Sequence, residues 1–169
     1  SMNYYFENGI TDHLAYGATV SVKYPYSDKY PVGGETALTD GLRGTNDYHF
    51  NWLGFEGYEM NAVVDMGKTR EINNISVNFL QDAKSWIWIP HTVIFSGSTD
   101  GVNYQQIKST RKKTDEYDYE NIIESFSTKV AHIPFQFIRI TTESFIKCPD
   151  WHLGAEGQAW IFADEIVIR

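Results

Sequence analysis

Residues 148–169, CPDWHLGAEGQAWIFADEIVIR, decide how this chain is read. A polar loop runs into the apolar stretch Ala159-Trp160-Ile161-Phe162, and the chain closes on a short strand pattern. One acid, Glu165, stands just before the apolar run Ile166, Val167 and Ile168. Far upstream, residues 37–52 read ALTDGLRGTNDYHFNW and hold a tight acid-glycine turn with Asp40, Gly41 and Thr45.

Between these two pieces, strand-like alternation recurs. Ile75, Val77 and Phe79 alternate with Ser76 and Asn78; Val93 and Phe95 alternate with Ile94 and Ser96; Phe137 leads into Ile138-Arg139-Ile140. Period-two segments rich in Val, Ile and Phe suit half-buried strands. Asp40-Gly41, Gly67-Lys68, Asp100-Gly101 and the steps into Pro90 and Pro134 punctuate them as turns. No segment carries a sustained 3.6-residue apolar stripe. Many short strands separated by turns predict an all-β fold, an antiparallel jelly-roll β-sandwich of about eight strands. Residues 4–34 are tyrosine-rich and irregular, and could wrap the sandwich or line a site. Residues 110–121 read as a long polar loop.

With 169 residues the chain is long enough for one domain with one sizeable core. Residues 15–169 are expected to form it, with residues 1–14 as a lead-in. Ser1 before Met2 reads as a cleavage scar and the chain as a piece of a larger protein, so its compartment is not legible. No apolar run is long enough to cross a bilayer. The net charge of −8 argues against nucleic acid, whose phosphates need clustered Lys and Arg, and against anionic membrane surfaces. The one basic cluster, Arg111-Lys112-Lys113, is followed at once by acids and reads as a solvated loop. Cys148 is single and can form no internal disulfide.

The landmarks fall in a recognisable order. Thr39-Asp40-Gly41 is followed by Trp52, and then by the strand end Ala62-Val63-Val64-Asp65-Met66-Gly67. Ile72–Phe79 comes next, then the hairpin Ser98-Thr99-Asp100-Gly101 with Tyr104, then Phe137-Ile138-Arg139-Ile140, and last Glu165. In this order the chain resembles discoidin-like domains, the group of the coagulation factor V/VIII C-type domains and the family 32 carbohydrate-binding modules. The texture of SWIWIPHTVIFSGSTDG (residues 85–101) and of the C-terminal stretch is similar to domains at the C-termini of large secreted bacterial glycosidases, with family 20 β-hexosaminidases named first. The chain departs from the factor V/VIII domains in lacking their terminal disulfide.

The resemblance implies a structural calcium site. Calcium takes about six to eight oxygens, carboxylate and carbonyl mixed. Asp40 and Glu165 would supply carboxylates, Thr45 its hydroxyl and carbonyl, and Ala37, Leu42 and Asp164 carbonyls. Such an ion would clip an early loop to the last strand, where a cross-link that closes a long loop gains most. The plain alternative is that Asp40 caps a turn and Glu165 is a solvated edge residue.

Five tryptophans invite a sugar-platform reading, although a large aromatic in a sandwich is more often core. Trp52 and Trp160 are read as core. Trp86 and Trp88 are two apart and share a side if extended; they lie beside Gln81, Asp82 and Lys84. Trp151 and His152 follow in a second loop with Glu156 and Gln158. Trp86, Trp88, Trp151, His152 and Glu156 are therefore the candidate ligand-binding residues. The five histidines, His13, His49, His91, His132 and His152, have no zinc-like spacing and read as surface or satisfied core residues.

No nucleophile elbow, phosphate loop or HExxH motif supports an enzyme. The expected function is non-catalytic: weak binding of galactose- or N-acetylhexosamine-type glycans, as part of a larger glycoside hydrolase that is secreted, periplasmic or at the cell surface. The competing reading is an accessory domain that packs on the parent's catalytic domain and binds no sugar. An adhesive or lipid-binding discoidin role is disfavoured by charge.

Overall fold

Alternation decides the two longest strands. In the computed structural model, which describes residues 9–30 and 32–169, Ala62, Val64 and Met66 point inward, and after a bend so do Ile75, Val77 and Phe79. Both sets lie on one strand, β3 (Asn61–Gln81). The others are β1 (Thr19–Val22), β2 (Leu53–Glu56), β4 (Thr92–Ser98), β5 (Gln105–Arg111), β6 (Ile122–Glu143), β7 (Trp160–Ala163) and β8 (Val167–Ile168). Among the described residues the only helical elements are two short 3-10 turns, Gly34–Leu38 and Ala83–Ser85.

Two bent strands make the sandwich. The register of β3 against β6 shifts between Asp65 and Arg70 and again between Ile72 and Asn74. Gly67 takes the left-handed conformation that the first bend needs, φ 81°, and its N–H donates to Asp65 Oδ1 at 2.8 Å. Before the bend, β3 pairs with β1 and with the second half of β6, which carries β4 and then β5. After it, β3 pairs with the first half of β6, and on its other side with β7 and β8; β2 pairs with β7. All pairings between these strands are antiparallel. The layers close over one core, with Val64, Val93, Phe95, Ile138 and Ile140 from the first and Leu53, Phe55, Ile75, Val77, Phe79, Phe126 and Ile161 from the second. This is the expected β-sandwich, with its eight strands.

The inner end of the lead-in is bonded to the domain. Ile10 N–H donates to Gly41 O at 2.6 Å and Leu14 N–H to Ile168 O at 2.7 Å, so residues 10–14 are stitched to the turn and the last strand. Residues 1–8 of that lead-in lie outside the described residues. No helix among the described residues is long and apolar enough to cross a membrane.

Candidate functional site

The first cluster forms where the chain passes from β7 to β8. Strand pairing on both sides buries the two acids in that link, so Asp164 and Glu165 are both 0% exposed. Asp164 is well supplied. Its carboxylate accepts from Arg43 at 3.2 Å and from the backbone N–H of Gly44 and Asn78, each at 3.1 Å. Burial nonetheless pushes it up to about 7, against the pull of Arg43 and the two N–H groups.

Glu165 is not well supplied. Its Oε2 lies 2.9 Å from His13 Nε2, while His13 Nδ1 accepts from Ala15 N–H at 3.2 Å and Ile168 N–H at 3.4 Å. Those two donors fix the tautomer, so Nε2–H donates to Glu165. Glu165 Oε1 is buried and has no hydrogen-bond partner among the described residues. Burial, with the neighbouring Asp40 and Asp164 carboxyls adding to it, raises Glu165 to about 9. Burial likewise raises Asp40, whose Oδ1 accepts from Leu42 N–H at 2.9 Å, and lowers His13 to about 4. The two acids that sequence reading paired are thus brought together: the Asp40 carboxyl and the Gly41 N–H both reach the Glu165 carboxyl, which stays protonated at neutral pH and can share its proton with Asp40. Ala37 sits buried at the end of the adjacent 3-10 turn. Thr45 is less well placed: its hydroxyl accepts from Asp47 N–H at 3.1 Å, and its carbonyl accepts from Trp52 Nε1–H at 2.7 Å. His13 was not among the expected site residues; with no spacing motif, only the fold brings it to Glu165.

The second cluster lies beyond the C-terminal end of β3. The 3-10 turn Ala83–Ser85 ends on Trp86 in a left-handed conformation, φ 67°. That single dihedral breaks the extended reading of Trp86 and Trp88. Trp88 turns inward, is 1% exposed, packs with Ala83, Cys148 and Ala159, and donates from Nε1 to Glu116 O at 3.2 Å. It has no face to offer a sugar. Trp86 stays 38% exposed. Its ring is seated on the backbone of the second loop, where a Cβ would come within 2.5 Å of it at Gly154 and 2.6 Å at Gly157.

His152 pins the two loops together. Its Nδ1 accepts from Gly154 N–H at 2.9 Å and its Nε2–H donates to Ala83 O at 2.7 Å, so both nitrogens are used and the ring is buried. It is a support rather than a contact residue, which corrects the expectation for it. Glu156 projects outward, its side chain 79% exposed and 3.9 Å from Lys147 Nζ. Trp151 is 37% exposed and packs against Tyr117, ring centroids 4.6 Å apart, with Tyr119 alongside.

Beside Trp86 opens a cleft of about 310 Å³ lined by Tyr30, Tyr48, Lys84, Ser85, Trp86, Ile87, Trp160 and Phe162. Aromatic walls with an ammonium and a hydroxyl at the rim can pack C–H faces and bond hydroxyls at once. Tyr30 and Tyr48 were missed by sequence reading, although Tyr30 belongs to the tyrosine-rich stretch flagged as able to line a site.

The fold can be set beside known proteins. No protein-family model matches the sequence, and no curated protein matches it. Among solved structures, a Streptococcus pneumoniae fucose binding module superposes with a TM-score of 0.64 at 12% identity, covering 92% of this chain and 93% of that one. The chain has a discoidin-like fold. CpGH89CBM32-5 from Clostridium perfringens, solved in complex with GalNAc-beta-1,3-galactose, matches the discoidin-like domain at TM-score 0.60 and 13% identity, over 93% of this chain and 99% of that one. SpGH29 matches at TM-score 0.57 and 17% identity over 99% of this chain, which spans only 29% of its length. The discoidin-like domain is thus close to the full length of the binding modules and a fraction of the larger protein.

Proposed function

We propose that this domain is a carbohydrate-binding module that takes a galactose- or N-acetylhexosamine-type glycan in the Trp86 cleft and performs no chemistry on it. The observation that carries the reading is the combination at that cleft: an exposed indole seated on two glycines, tyrosine walls, and Lys84 and Ser85 at the rim. Trp151 with Tyr117 offers a further stacking face on the neighbouring loop. A shallow site of this kind supplies roughly 4–6 kcal/mol, so dissociation constants from about 1 mM to tens of micromolar are expected. The similarity to modules described as binding fucose or GalNAc-beta-1,3-galactose supports the ligand class. The match inside a larger protein supports a role as the glycan-holding part of a secreted bacterial glycoside hydrolase. A glycan array probed with the domain tests this: several galactose- or N-acetylhexosamine-bearing glycans should bind, and Trp86→Ala should lose them while melting normally.

The reading includes a structural calcium ion. Asp40 and Glu165 would hold it through carboxylate oxygens, Glu165 through the Oε1 that has no hydrogen-bond partner among the described residues. Among the described residues no three His, Cys, Asp or Glu side chains are gathered to hold a metal by themselves. The other ligands would therefore be backbone carbonyls, those of Ala37, Leu42 and Asp164. The ion would neutralise two acids that burial makes costly to ionise.

One observation favours a second reading, an accessory domain docked on a catalytic partner. Leu153 is fully exposed two residues after Trp151, whose own partly exposed ring packs on Tyr117 with Tyr119 alongside, and exposed apolar side chains of this kind are what interfaces cover. A folded domain that binds no glycan would put this reading ahead.

A further inference from the structure

The tyrosine-rich stretch 24–30 forms a strap along β2. Ser27 N–H donates to Gly54 O at 2.7 Å, so the strap takes a backbone position on the side of β2 away from β7. Hollows flank it. Tyr30 helps to wall the Trp86 cleft. Tyr26 walls a second cleft of about 310 Å³, together with Pro25, Ser27, Glu56, Tyr58 and Gln158. A smaller hollow of about 220 Å³ has both Tyr26 and Tyr30 in its walls, so the same two side chains between them border all three hollows. Lys29 stands astride the divide. Its Nζ lies 3.2 Å from Glu56 Oε2, on the second cleft, and 5.6 Å from the ring centroid of Trp160, on the first. Glu56 and Trp160 are direct partners across the β2–β7 ladder, which brings the two clefts to the same place in the fold.

The second cleft has the same mixed chemistry as the first. Tyr58 is 45% exposed and stacks on Tyr24, with ring centroids 6.1 Å apart. The Tyr26 hydroxyl is held by Glu35. The Gln158 amide lies flat against Gly57, where a Cβ would come within 2.7 Å of Nε2. Aromatic faces bordered by a carboxylate, an amide and an ammonium suit a sugar ring, whose C–H face packs while its hydroxyls bond. An added peptide strand would need a free edge on β2, and the strap already bonds there.

We propose that the two clefts are subsites of one groove along the β2–β7 edge, so that the domain reads an oligosaccharide rather than a single terminal sugar. This rests on the carbohydrate-binding reading and extends it. The second subsite consists of Tyr26, Glu56, Tyr58 and Gln158, and Lys29 bonds the unit that crosses the divide.

The test is calorimetric titration with a length series, from monosaccharide to tetrasaccharide, of galactose- and N-acetylhexosamine-containing glycans. Affinity should rise about tenfold or more along the series. Tyr58→Ala and, separately, Glu56→Gln should bring the ratio of tetrasaccharide to monosaccharide affinity down toward one. Val102→Ser, on an exposed hairpin far along the chain, should keep the full rise. Affinity that ignores length, or a rise that survives both Tyr58→Ala and Glu56→Gln, overturns the groove and leaves a single sugar site standing if Trp86→Ala still weakens binding about tenfold. A folded domain that binds no member of the series overturns the groove and the carbohydrate reading together.

Discussion

The acid cluster and the aromatic end lie on the same seam, where β7 and β8 run along β3, and they use their polar groups in opposite ways. At the acid cluster everything is inside: Asp164 is satisfied by Arg43 and two N–H groups, while Glu165 keeps one buried oxygen with no partner among the described residues. At the aromatic end the polar pins are inside and the rings face out. His152 has both nitrogens bonded so that Trp86 and Trp151 can remain more than a third exposed. Burial with an unmet acceptor is a reason for a cation; exposure with a fixed frame is a reason for a ligand. We propose the first as a stability site and the second as a recognition site, and each of the following experiments presses on the difference.

The largest effect should come from the satisfied acid. Asp164→Ala strands Arg43 and the N–H groups of Gly44 and Asn78. Breaking a buried pair costs about 3–5 kcal/mol; the low end applies because Arg43 is partly exposed. At about 2–4 °C per kcal/mol, Tm should drop by roughly 6–12 °C, with or without calcium. A drop that is larger in calcium than in chelator would mean that the carboxylate of Asp164, not only its carbonyl, belongs to the ion.

Calcium removal should come next. At free calcium about 100-fold above its dissociation constant, native-state binding adds about 2.7 kcal/mol, or roughly 5–10 °C. A chelator should remove this and calcium should restore it, with magnesium doing so poorly because its geometry is stricter. Asp40→Ala should melt alike in both conditions. If wild type also does, the ion is absent and the cluster is only a buried acid pair.

The same cluster sets a pH dependence for the metal-free domain. Glu165 is raised from 4.5 to about 9, so the folded state keeps a proton that the unfolded chain has released; its contribution is full below about 4.5 and is lost as pH rises toward 9. Asp164, raised from 3.8 to about 7, acts in the same direction at lower pH. His13, lowered from 6.5 to about 4, acts the other way, favouring the folded state as pH rises through that window. Above about 7 the Asp164 effect fades and the Glu165 effect remains. Melting curves in chelator should therefore fall on toward pH 9, by about 1.4 kcal/mol per pH unit for one group. In calcium, which binds the carboxylate, they should stay level. Parallel curves in the two conditions would take Glu165 out of the metal site.

The smallest effect in energy should fall on recognition alone. Trp86→Ala should weaken glycan binding about tenfold, or ~1.4 kcal/mol, and move Tm little. Gly154→Ala sharpens the point, because the added methyl meets the indole at 2.5 Å and has to shift it. Titration should show weakened binding although the ring itself is still present. Full affinity in Gly154→Ala would mean that the position of Trp86 does not matter and that the ligand sits elsewhere.

Much of the molecule was legible before folding was considered. Strand alternation at Ile75–Phe79 and Val93–Phe95, and turns at Gly67 and Asp100-Gly101, are local properties, and local periodicity is what a sequence displays. The pairing of Asp40 with Glu165 was legible only through resemblance to a family in which the landmarks come in that order. Three things were decided by tertiary structure. His13 reaches Glu165 because residues 10–14 bond to Gly41 and Ile168, a contact across the whole chain that no spacing motif encodes. Trp88 is core and Trp86 is not, because one left-handed residue at the end of a 3-10 turn breaks the period of two. Tyr30 meets Trp160, and Tyr48 meets Tyr30 and Phe162, because the strap and the turn converge on the β2–β7 edge. A sequence fixes which side chains can bury or stack. Which of them meet depends on where non-local strands and loops converge, and that is a property of the packed chain.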